Sequence, residues 1–553
     1  MAIVGIGLSL ILLALYGWLL VVIYRAPFKA LAVLVAGMAF HNVVLMTLLN
    51  LGTPTLLVRL VQFWKEGVLI LLLFLACRLA LQAWRAGKRP RLSWLDWTMV
   101  AFAALACIYL VIPAGALPID SSLGQRFVSF RVMMLMPLLY AFGRVFWRYS
   151  RPDLVWTARV LFGSVIAVAL FGLWELWFVP TVDWVGWGVK GFTSLLGYEY
   201  QGPGGLPENF FQSTESGLGL RRMVSTYISP LGLAYTGLLL VPICAVLVSF
   251  KGKEPALPGW FRWTALVLLV TSILFSVTRG ALLAMLGEFA LLALLLRRWR
   301  IVAVGSVVAL AVLFIFIEYA NFGPLVTFKL EEARPPLGQA LVREVLGGGL
   351  ATSAGPVATP TSVAGGSDGT EPDTSRGELL DRMLSSEDPS MRGHMAALRA
   401  GLNYVIKYPF GTGLGSSVPR FGDAEGPAES ALLAIPGEMG ILGGLLYLLM
   451  YGASLVYSFL AYLRVRGDHI REALTLVPLV GGLALVPIMI TSAIWGNFSV
   501  SFLFWWTAGF CVSLALQRKD QADSAPVTHE DTVELTPQEQ ERDDQRLAVP
   551  HTV

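Results

Sequence analysis

Four arginines stand at the edges of long apolar runs, where few acidic residues accompany them. Arg279 separates the runs "TALVLLVTSILFSV" and "ALLAMLGEFALLALLL", and Arg222 directly precedes "MVSTYISPLGLAYTGLLLVPI". Arg131 lies in "LGQRFVSFRVMMLMPLL" and Arg392 in "PSMRGHMAALRAGL". Because the planar guanidinium group matches the oxygens of a phosphate, these arginines together predict a polyanionic ligand. For Arg279 alone, the alternative is a turn residue whose side chain reaches the lipid headgroups.

The composition indicates which elements must position these arginines. The chain has 553 residues, of which 56% are hydrophobic and 14% charged, against about 25% charged residues in soluble domains. Its apolar runs are about 20 residues long, enough to cross a bilayer as helices. We therefore predict an all-α polytopic membrane protein. The net charge of +4 does not suggest a nucleic-acid partner, and the four cysteines show no metal-binding or disulfide spacing.

The apolar runs predict about 12–13 transmembrane helices. Basic residues cluster in every second connection, which the positive-inside rule assigns to the cytoplasm, with the N-terminus outside and the C-terminus inside. The basic connections are 25–29, 85–91, 144–151, 251–253, 297–300, 464–471 and 518–519. The predicted spans are 3–23, 29–49, 64–84, 96–114, 127–146, 155–177, 224–249, 261–277, 281–296, 301–319, 439–462, 472–493 and 499–516.

The predicted organisation has four parts. Residues 1–320 hold the first ten spans, with an outer loop at 178–222. A large outer loop follows at 321–438, and residues 439–518 hold the last three spans. Within the large loop we predict disorder at 347–375, which is rich in Gly, Ser, Thr and Pro, an amphipathic helix at 391–407, and a glycine-rich segment at 409–415. The tail at 519–553 is predicted to be disordered and cytoplasmic.

Three motifs follow one another in the predicted outer regions, namely "RMVSTYISP", "VTRGA" and "YPFGTGLG", the last continuing into "LLAIPGEMGILGG". Their order and spacing resemble the O-antigen ligase and O-antigen polymerase superfamily. The resemblance covers residues from about 125 to 510 and is strongest over 222–449. The matching positions are Arg222, Ser225, Thr226, Tyr227, Ser229, Pro230, Thr278, Arg279, Gly280, Pro409, Phe410, Gly411, Gly413, Gly415, Leu433, Glu438, Gly440 and Gly443.

The resemblance implies a GT-C-like glycosyltransferase bundle in the bacterial cytoplasmic membrane. Such an enzyme transfers glycan from a polyprenyl-diphosphate carrier to a glycan or lipid-linked acceptor at the outer leaflet. It implies pyrophosphate binding by Arg279 and Arg222, with Arg131 and Arg392 as weaker candidates. The backbone N–H groups of Gly411, Gly413 and Gly415 would cradle phosphate oxygens, as in the segment "GTGLG". We expect no cofactor and no metal, because the outer segments lack a compact pair of metal-ligating acids or histidines.

The sequence departs from the family pattern at one position. Where many members have His-Asn, this chain has Glu429 and Ser430, in "AESAL". Glu429 is therefore the first candidate for the base that removes the acceptor proton, and pairing with an arginine is the alternative of equal weight. His394 is a second candidate base, although a solvated face of the helix 391–407 is the favoured interpretation of this residue.

The acid at position 429 favours a polymerase of O-antigen or exopolysaccharide repeat units. A ligase that transfers glycan to a lipid A core or to protein is the first alternative. A transporter or flippase of an anionic lipid-linked substrate is the second. A transporter of this size typically shows internal repeats, which this sequence does not display.

Overall fold

The computed structural model describes residues 1–87, 91–197, 200–213, 218–249, 257–339, 389–417, 427 and 430–517. The predicted segments 347–375 and 519–553, and Glu429, lie outside the described residues. The described helices, numbered in chain order, are α1 (Ala2–Arg25), α2 (Ala30–Asn50), α3 (Thr55–Gln62), α4 (Trp64–Arg85), α5 (Trp94–Val111), α6 (Leu123–Val145), α7 (Arg151–Phe178), α8 (Thr181–Gly186), α9 (Val189–Leu195), α10 (Pro230–Ser249), α11 (Gly259–Phe275), α12 (Arg279–Leu296), α13 (Trp299–Phe322), α14 (Pro389–Lys407), α15 (Ala431–Arg464), α16 (His469–Leu476), α17 (Gly482–Thr491) and α18 (Phe498–Leu516).

The prediction of an all-α polytopic membrane protein is confirmed. Over the described part of the chain, 12 helical segments are long and apolar enough to cross a membrane. The one predicted span that is not among these 12 segments, 261–277, corresponds to α11, a shorter apolar helix. Two of the 12 segments each contain two α-helices: α3 and α4 form one, and α16 and α17 form another through a π-helical segment, Val477–Gly481.

The helix α15 begins eight residues before the predicted span at 439–462 because it is built from two pieces. Its backbone leaves helical geometry at Met439 (φ −112°, ψ 15°) and Gly440 (φ 70°, ψ 180°). The apolar run therefore predicted the second piece of α15, which starts at this kink. The first piece, Ala431–Glu438, belongs to the predicted outer loop.

The bundle has two ends, which we call the Arg279 end and the Arg297 end after the residues that begin and follow α12. Basic segments meet at the Arg297 end. Arg144 donates to the carbonyl oxygen of Arg91 at 2.8 Å, and the Arg471 guanidinium lies 5.7 Å from the ring centre of Tyr149. Lys29 pairs with Asp153 at 3.0 Å in the same region. Several of the described basic connections therefore lie together at one end of the bundle.

A small antiparallel sheet lies at the Arg279 end and was not predicted. Its strands, in spatial order, are β1 (Phe211–Ser213), β2 (Gly219–Arg221), β3 (Leu325–Val326) and β4 (Glu332–Arg334). Leu220 pairs with Leu325, so the sheet joins the 178–222 loop to the residues after α13. Strands of two or three residues are too short to show an alternating pattern in the sequence.

A buried ion pair fixes this sheet to α7. Arg221, the last residue of β2, is 2% exposed and donates to the Glu175 carboxylate at 2.6 Å. The other Glu175 oxygen accepts a hydrogen bond from the backbone N–H of Val224 at 2.9 Å. The intramembrane acid Glu175 is therefore fully partnered. Glu288, in the middle of α12, is equally buried, but neither of its carboxylate oxygens has a hydrogen-bond partner among the described residues.

We predict that substitution of these two buried glutamates by methionine has opposite effects on the stability of the fold. Glu175→Met should destabilise the fold by about 3–5 kcal/mol, because it leaves Arg221 as a buried charge without its partner. Glu288→Met should stabilise the fold, because an unpartnered buried polar group costs about 1–3 kcal/mol. The thermal midpoints of the purified variants in detergent test both effects. A shift of both midpoints in the same direction would show that the difference in pairing does not control stability.

Candidate functional site

Arg222 and Arg279, the two arginines predicted first, lie next to one another. The Arg222 guanidinium donates to the carbonyl oxygen of Ser276 and to the hydroxyl of Thr278, both at 2.7 Å. Thr278 directly precedes Arg279, which is the first residue of α12. Burial, the largest cause, and the neighbouring positive charge of Arg279 together lower the pKa of Arg222 to about 10, against opposing effects of Tyr235 and Tyr319. Both side chains thus belong to one positively charged site.

The turn between α11 and α12 is shaped to receive Arg222. Val277 adopts a left-handed backbone conformation (φ 48°), and the Ser276 hydroxyl donates to Ile273 in the preceding helix at 2.7 Å. The backbone N–H of Met223 donates to the carbonyl oxygen of Phe275 at 2.9 Å. The segment after β2 therefore runs alongside this turn, and two motifs 50 residues apart in the sequence form one structural unit.

A second cationic cluster surrounds Arg131. Its guanidinium lies 4.9 Å from the ring centre of Phe498 and 3.4 Å from the carboxylate of Glu66. Lys65, which is 5% exposed, shares the same Glu66 oxygen at 3.4 Å, and its ammonium nitrogen lies 3.4 Å from Nε2 of His41. Sequence reasoning missed Lys65. The adjacent acid in "WKEG" is typical of a solvated pair, and the packing of α2 and α6 around the start of α4 buries the lysine.

Hydrogen bonds connect the surroundings of the two clusters. Asn42, which follows His41, donates to the carbonyl oxygen of Tyr227 at 2.6 Å, in the connection that begins at Arg222. Asn497, which precedes Phe498, donates to the carbonyl oxygen of Gly232 at 3.2 Å. Both clusters therefore lie at the Arg279 end, around the start of α10.

The glycine-rich segment 411–415 holds the kink of α15. The N–H groups of Thr412 and Gly413 donate to the carbonyl oxygens of Gly437 and Glu438, at 2.9 and 3.0 Å. Gly411 adopts φ +76°, and a Cβ atom there would lie 2.4 Å from the backbone nitrogen of Gly440. These N–H groups thus already have acceptors in the protein, which argues for a clasp around the kink rather than a phosphate cradle.

Glu438 completes this clasp from the side of α15. Its buried carboxylate accepts hydrogen bonds from the backbone N–H of Ser417, at 3.2 Å, and from the hydroxyl of Ser129 in α6. A Cβ atom on Gly415 would lie 2.7 Å from the backbone of Gln125, also in α6. The role of Glu438 in these contacts is structural, and its donors come from the loop and from α6.

The remaining candidates occupy other positions. His394 is exposed on α14, which covers the predicted amphipathic segment 391–407. Arg392 lies in the first turn of α14, and its side chain is outside the described part of the structure.

The start of α15 lies near Tyr235. The N–H of Ala431 donates to the carbonyl oxygen of Ser492, and the Ser492 hydroxyl lies 2.9 Å from the Tyr235 hydroxyl. Among the described residues no group of three or more His, Cys, Asp or Glu side chains could hold a metal ion.

The clasp predicts a sharp difference between two glycines of α15. Gly440→Ala should destabilise the protein, because φ +70° disfavours alanine and the new Cβ would lie 2.7 Å from the carbonyl oxygen of Pro409. The matched control is Gly452→Ala, where a Cβ meets nothing within 4 Å and alanine improves helix propensity by roughly 1 kcal/mol. Thermal unfolding of both variants measures the effect. A Gly440→Ala protein as stable as the parent would disprove the proposed close contact.

Comparison with known families agrees with this arrangement. A family model described as O-antigen ligase matches residues 264–448, about a third of the chain. The matched range contains Arg279 with its turn, α14, the glycine-rich clasp and the kinked start of α15. No curated protein matches the chain. Residues 264–448 are therefore similar to the O-antigen ligase family, and this match supports the superfamily resemblance that the order of the motifs indicates.

Proposed function

We propose that the protein polymerises glycan repeat units, using a polyprenyl-diphosphate-linked glycan as donor and a sugar hydroxyl as acceptor. The observation that supports this most directly is the contact of Arg222 with Thr278, which sets two arginines side by side at one end of the bundle. The family match supports the coarser statement of an O-antigen ligase-like glycosyltransferase. With the basic connections inside, this end faces the periplasm and the C-terminus faces the cytoplasm.

The proposed reaction requires stabilisation of a leaving group. The acceptor oxygen attacks the anomeric carbon, the bond from that carbon to the phosphate oxygen breaks, and the polyprenyl diphosphate leaves with the bonding electrons. Arg222 and Arg279 would bind the diphosphate oxygens and stabilise the charge that develops on them. Lys65 and Arg131 are further cations at the same end of the bundle. In this proposal guanidinium groups take the place that a divalent cation has in other transferases, and no metal is needed.

A base must accept the proton of the acceptor hydroxyl, and we propose Glu429. It directly precedes Ser430, whose hydroxyl donates to the carbonyl oxygen of Met489 at 3.1 Å, close to the Ser492–Tyr235 contact. The charge of Arg222 in turn acts on Tyr235. This chain of contacts connects the start of α15 with the arginine pair. His394 is the second candidate, from the exposed side of α14.

A ligase and a transporter are the two alternatives to a polymerase. Glu429 in place of the ligase histidine favours repeated addition over a single transfer to a lipid A core or to protein. One observation favours a transporter: a π-helical segment interrupts a spanning helix, and a Cβ on its Gly481 would lie 3.6 Å from the buried carboxylate of Glu288. Broken helices beside buried acids are typical of transport sites.

We predict that Arg279→Ala lowers glycan transfer by about 10- to 150-fold. The lost charge-assisted hydrogen bonds are worth about 1.5–3 kcal/mol, and each 1.4 kcal/mol is about tenfold in rate. The assay uses the purified protein in proteoliposomes with a lipid-diphosphate-linked oligosaccharide, with EDTA present, and resolves product length. Arg85→Ala, an exposed arginine at the end of α4, is the matched control.

Each outcome of this assay separates the candidate functions. A ladder of products supports the polymerase, and a single addition to a supplied lipid A core supports the ligase. Movement of the donor across the bilayer without transfer supports the transporter. Full activity of Arg279→Ala, or activity that EDTA abolishes, would contradict the proposed role of the arginines.

The base is tested by Glu429→Gln, which should lower the transfer rate by about 10²- to 10⁴-fold, because general-base catalysis contributes an effect of that size. The binding of the donor should change little, since the arginines are intact. His394→Asn serves as the comparison and should leave the rate near that of the parent. If instead His394→Asn is the slow variant, the two assignments are reversed.

A further inference from the structure

The helix α14 has an exposed apolar face in addition to the face that packs on α15. On the packed side Val405 is buried, and a Cβ atom on Gly401 would lie 2.8 Å from the side chain of Leu433. The members of the exposed face, with exposed fractions of 44%, 52%, 67% and 85%, are Met395, Leu402, Ile406 and, just after the helix, Phe410. Residues spaced by seven and four lie on one side of a helix. A row of large exposed apolar side chains marks a contact with another apolar surface.

The kink at Gly440 turns the first piece of α15 sharply away from the spanning piece. A Cβ atom on Gly444 would lie 2.8 Å from the Cβ atom of Pro436. In a straight helix these positions, eight residues apart, would be separated by about 12 Å. The first piece therefore does not continue the direction of the span.

Both ends of this first piece lie at the Arg279 ends of spanning helices. At its start, the hydroxyl of Ser430 donates to the carbonyl oxygen of Met489, near the end of α17. At the kink, the hydroxyl of Tyr109, near the end of α5, donates to the carbonyl oxygen of Phe410. The piece thus runs along the Arg279 end of the bundle, at the level where the spans end.

The helix α14 runs alongside this piece. Gly401 faces Leu433, and a Cβ atom on Gly437 would lie 3.6 Å from the ring of Tyr404. The two helices advance in the same direction, since the later residue of α14 meets the later residue of α15. The helix α14 therefore also extends along the end of the bundle, at the level of the membrane boundary.

The exposed face of α14 borders on the lipid-facing surface of two spanning helices. Ile108 and Val111, next to Tyr109 in α5, are more than half exposed. Leu442 and Leu445, at the start of the spanning piece of α15, are exposed to a similar degree. Phe410 lies between these helices, because its carbonyl oxygen accepts from Tyr109 and the preceding Pro409 accepts from the N–H of Ile441. The apolar row on α14 thus continues a surface that meets the hydrocarbon.

We propose that α14 is a membrane-surface helix, whose exposed apolar face dips into the bilayer leaflet at the Arg279 end. Helices of this kind bury one face at the boundary between headgroups and acyl chains. Arg399 and Lys407, both exposed, would reach the headgroup phosphates from the edge of that face. The bilayer would thereby hold α14, and through Gly401 and Tyr404 the first piece of α15, at a fixed level. In the proposed function, the membrane would thus position the segment that begins beside Glu429.

The test places one spin label at a time on the full chain in proteoliposomes, after the exposed cysteines Cys77 and Cys107 are replaced by serine. Leu402→Cys carries the label on the apolar face. Asn403→Cys is the matched control, because the next residue is also exposed but points about 100° away around the helix. The label at 402 should be accessible to oxygen and lose access to a water-soluble nickel chelate. The label at 403 should show the reverse.

Three other results would overturn the proposal. Equal access of nickel to both labels would place the apolar face in water. A label at 402 that neither reagent reaches would show that protein covers the face, whether a second copy or another part of this chain. Oxygen access at 402 that changes only when the lipid-linked donor is added would assign the face to the polyprenyl chain. None of these measurements requires glycan transfer, so they are independent of the proposed function.

A pair of charge substitutions tests the consequence for the site. With the label at Ile406→Cys, Leu402→Asp should give the label access to nickel, because a carboxylate is disfavoured in the acyl region. Asn403→Asp adds the same charge beside the face and should leave the label protected. Equal thermal midpoints of the two variants exclude unfolding as the cause. Glycan transfer should fall in Leu402→Asp alone, and a parental rate despite an exposed label would show that the membrane contact does not position the site.

Discussion

The structure of the Arg279 end depends on two consecutive arginines at the end of β2, which have different partners. Successive side chains of an extended segment point in opposite directions. Arg221 therefore enters the protein and pairs with Glu175, while Arg222 reaches the turn before α12. The buried pair anchors the sheet to α7, and the anchored segment presents the second arginine to Arg279. The first contact therefore supports the segment that holds the second arginine beside a like charge.

The proximity of Arg222 and Arg279 is electrostatically unfavourable in the absence of an anion. Burial and the neighbouring cation lower the pKa of Arg222 only to about 10, so the guanidinium keeps its charge at neutral pH. Hydrogen bonds to Ser276 and Thr278 hold the Arg222 guanidinium near Arg279, although the repulsion between the two positive charges destabilises the fold. A bound diphosphate would neutralise both. This preorganisation is what a site needs if it is to stabilise charge without rearranging during the reaction.

The glycine motif illustrates how one pattern permits two physical interpretations. The segment "GTGLG" is typical of loops that bind phosphate, yet here the N–H groups of Thr412 and Gly413 bind carbonyl oxygens of α15. Glycine is required because the loop backbone touches the backbone at Gly440, with no room for a side chain. The motif therefore acts on the site indirectly. It sets the direction of the first piece of α15, whose start contacts the segment around Ser492.

The spans were predictable because a membrane helix depends on the summed hydropathy of about 20 consecutive residues, which can be read directly from the sequence. The contacts of the site depend on which helix ends meet in space, and a short stretch of sequence does not contain this information. Arg221 and Arg222 are indistinguishable in "LRRM", and their roles separate only when Glu175 and Thr278, on different helices, become their partners. Lys65 was missed for the same reason, since α2 and α6 supply its surroundings. Arg279 was predicted because an isolated cation between two apolar runs violates the local pattern, and violations of this kind are expected at functional or strained sites.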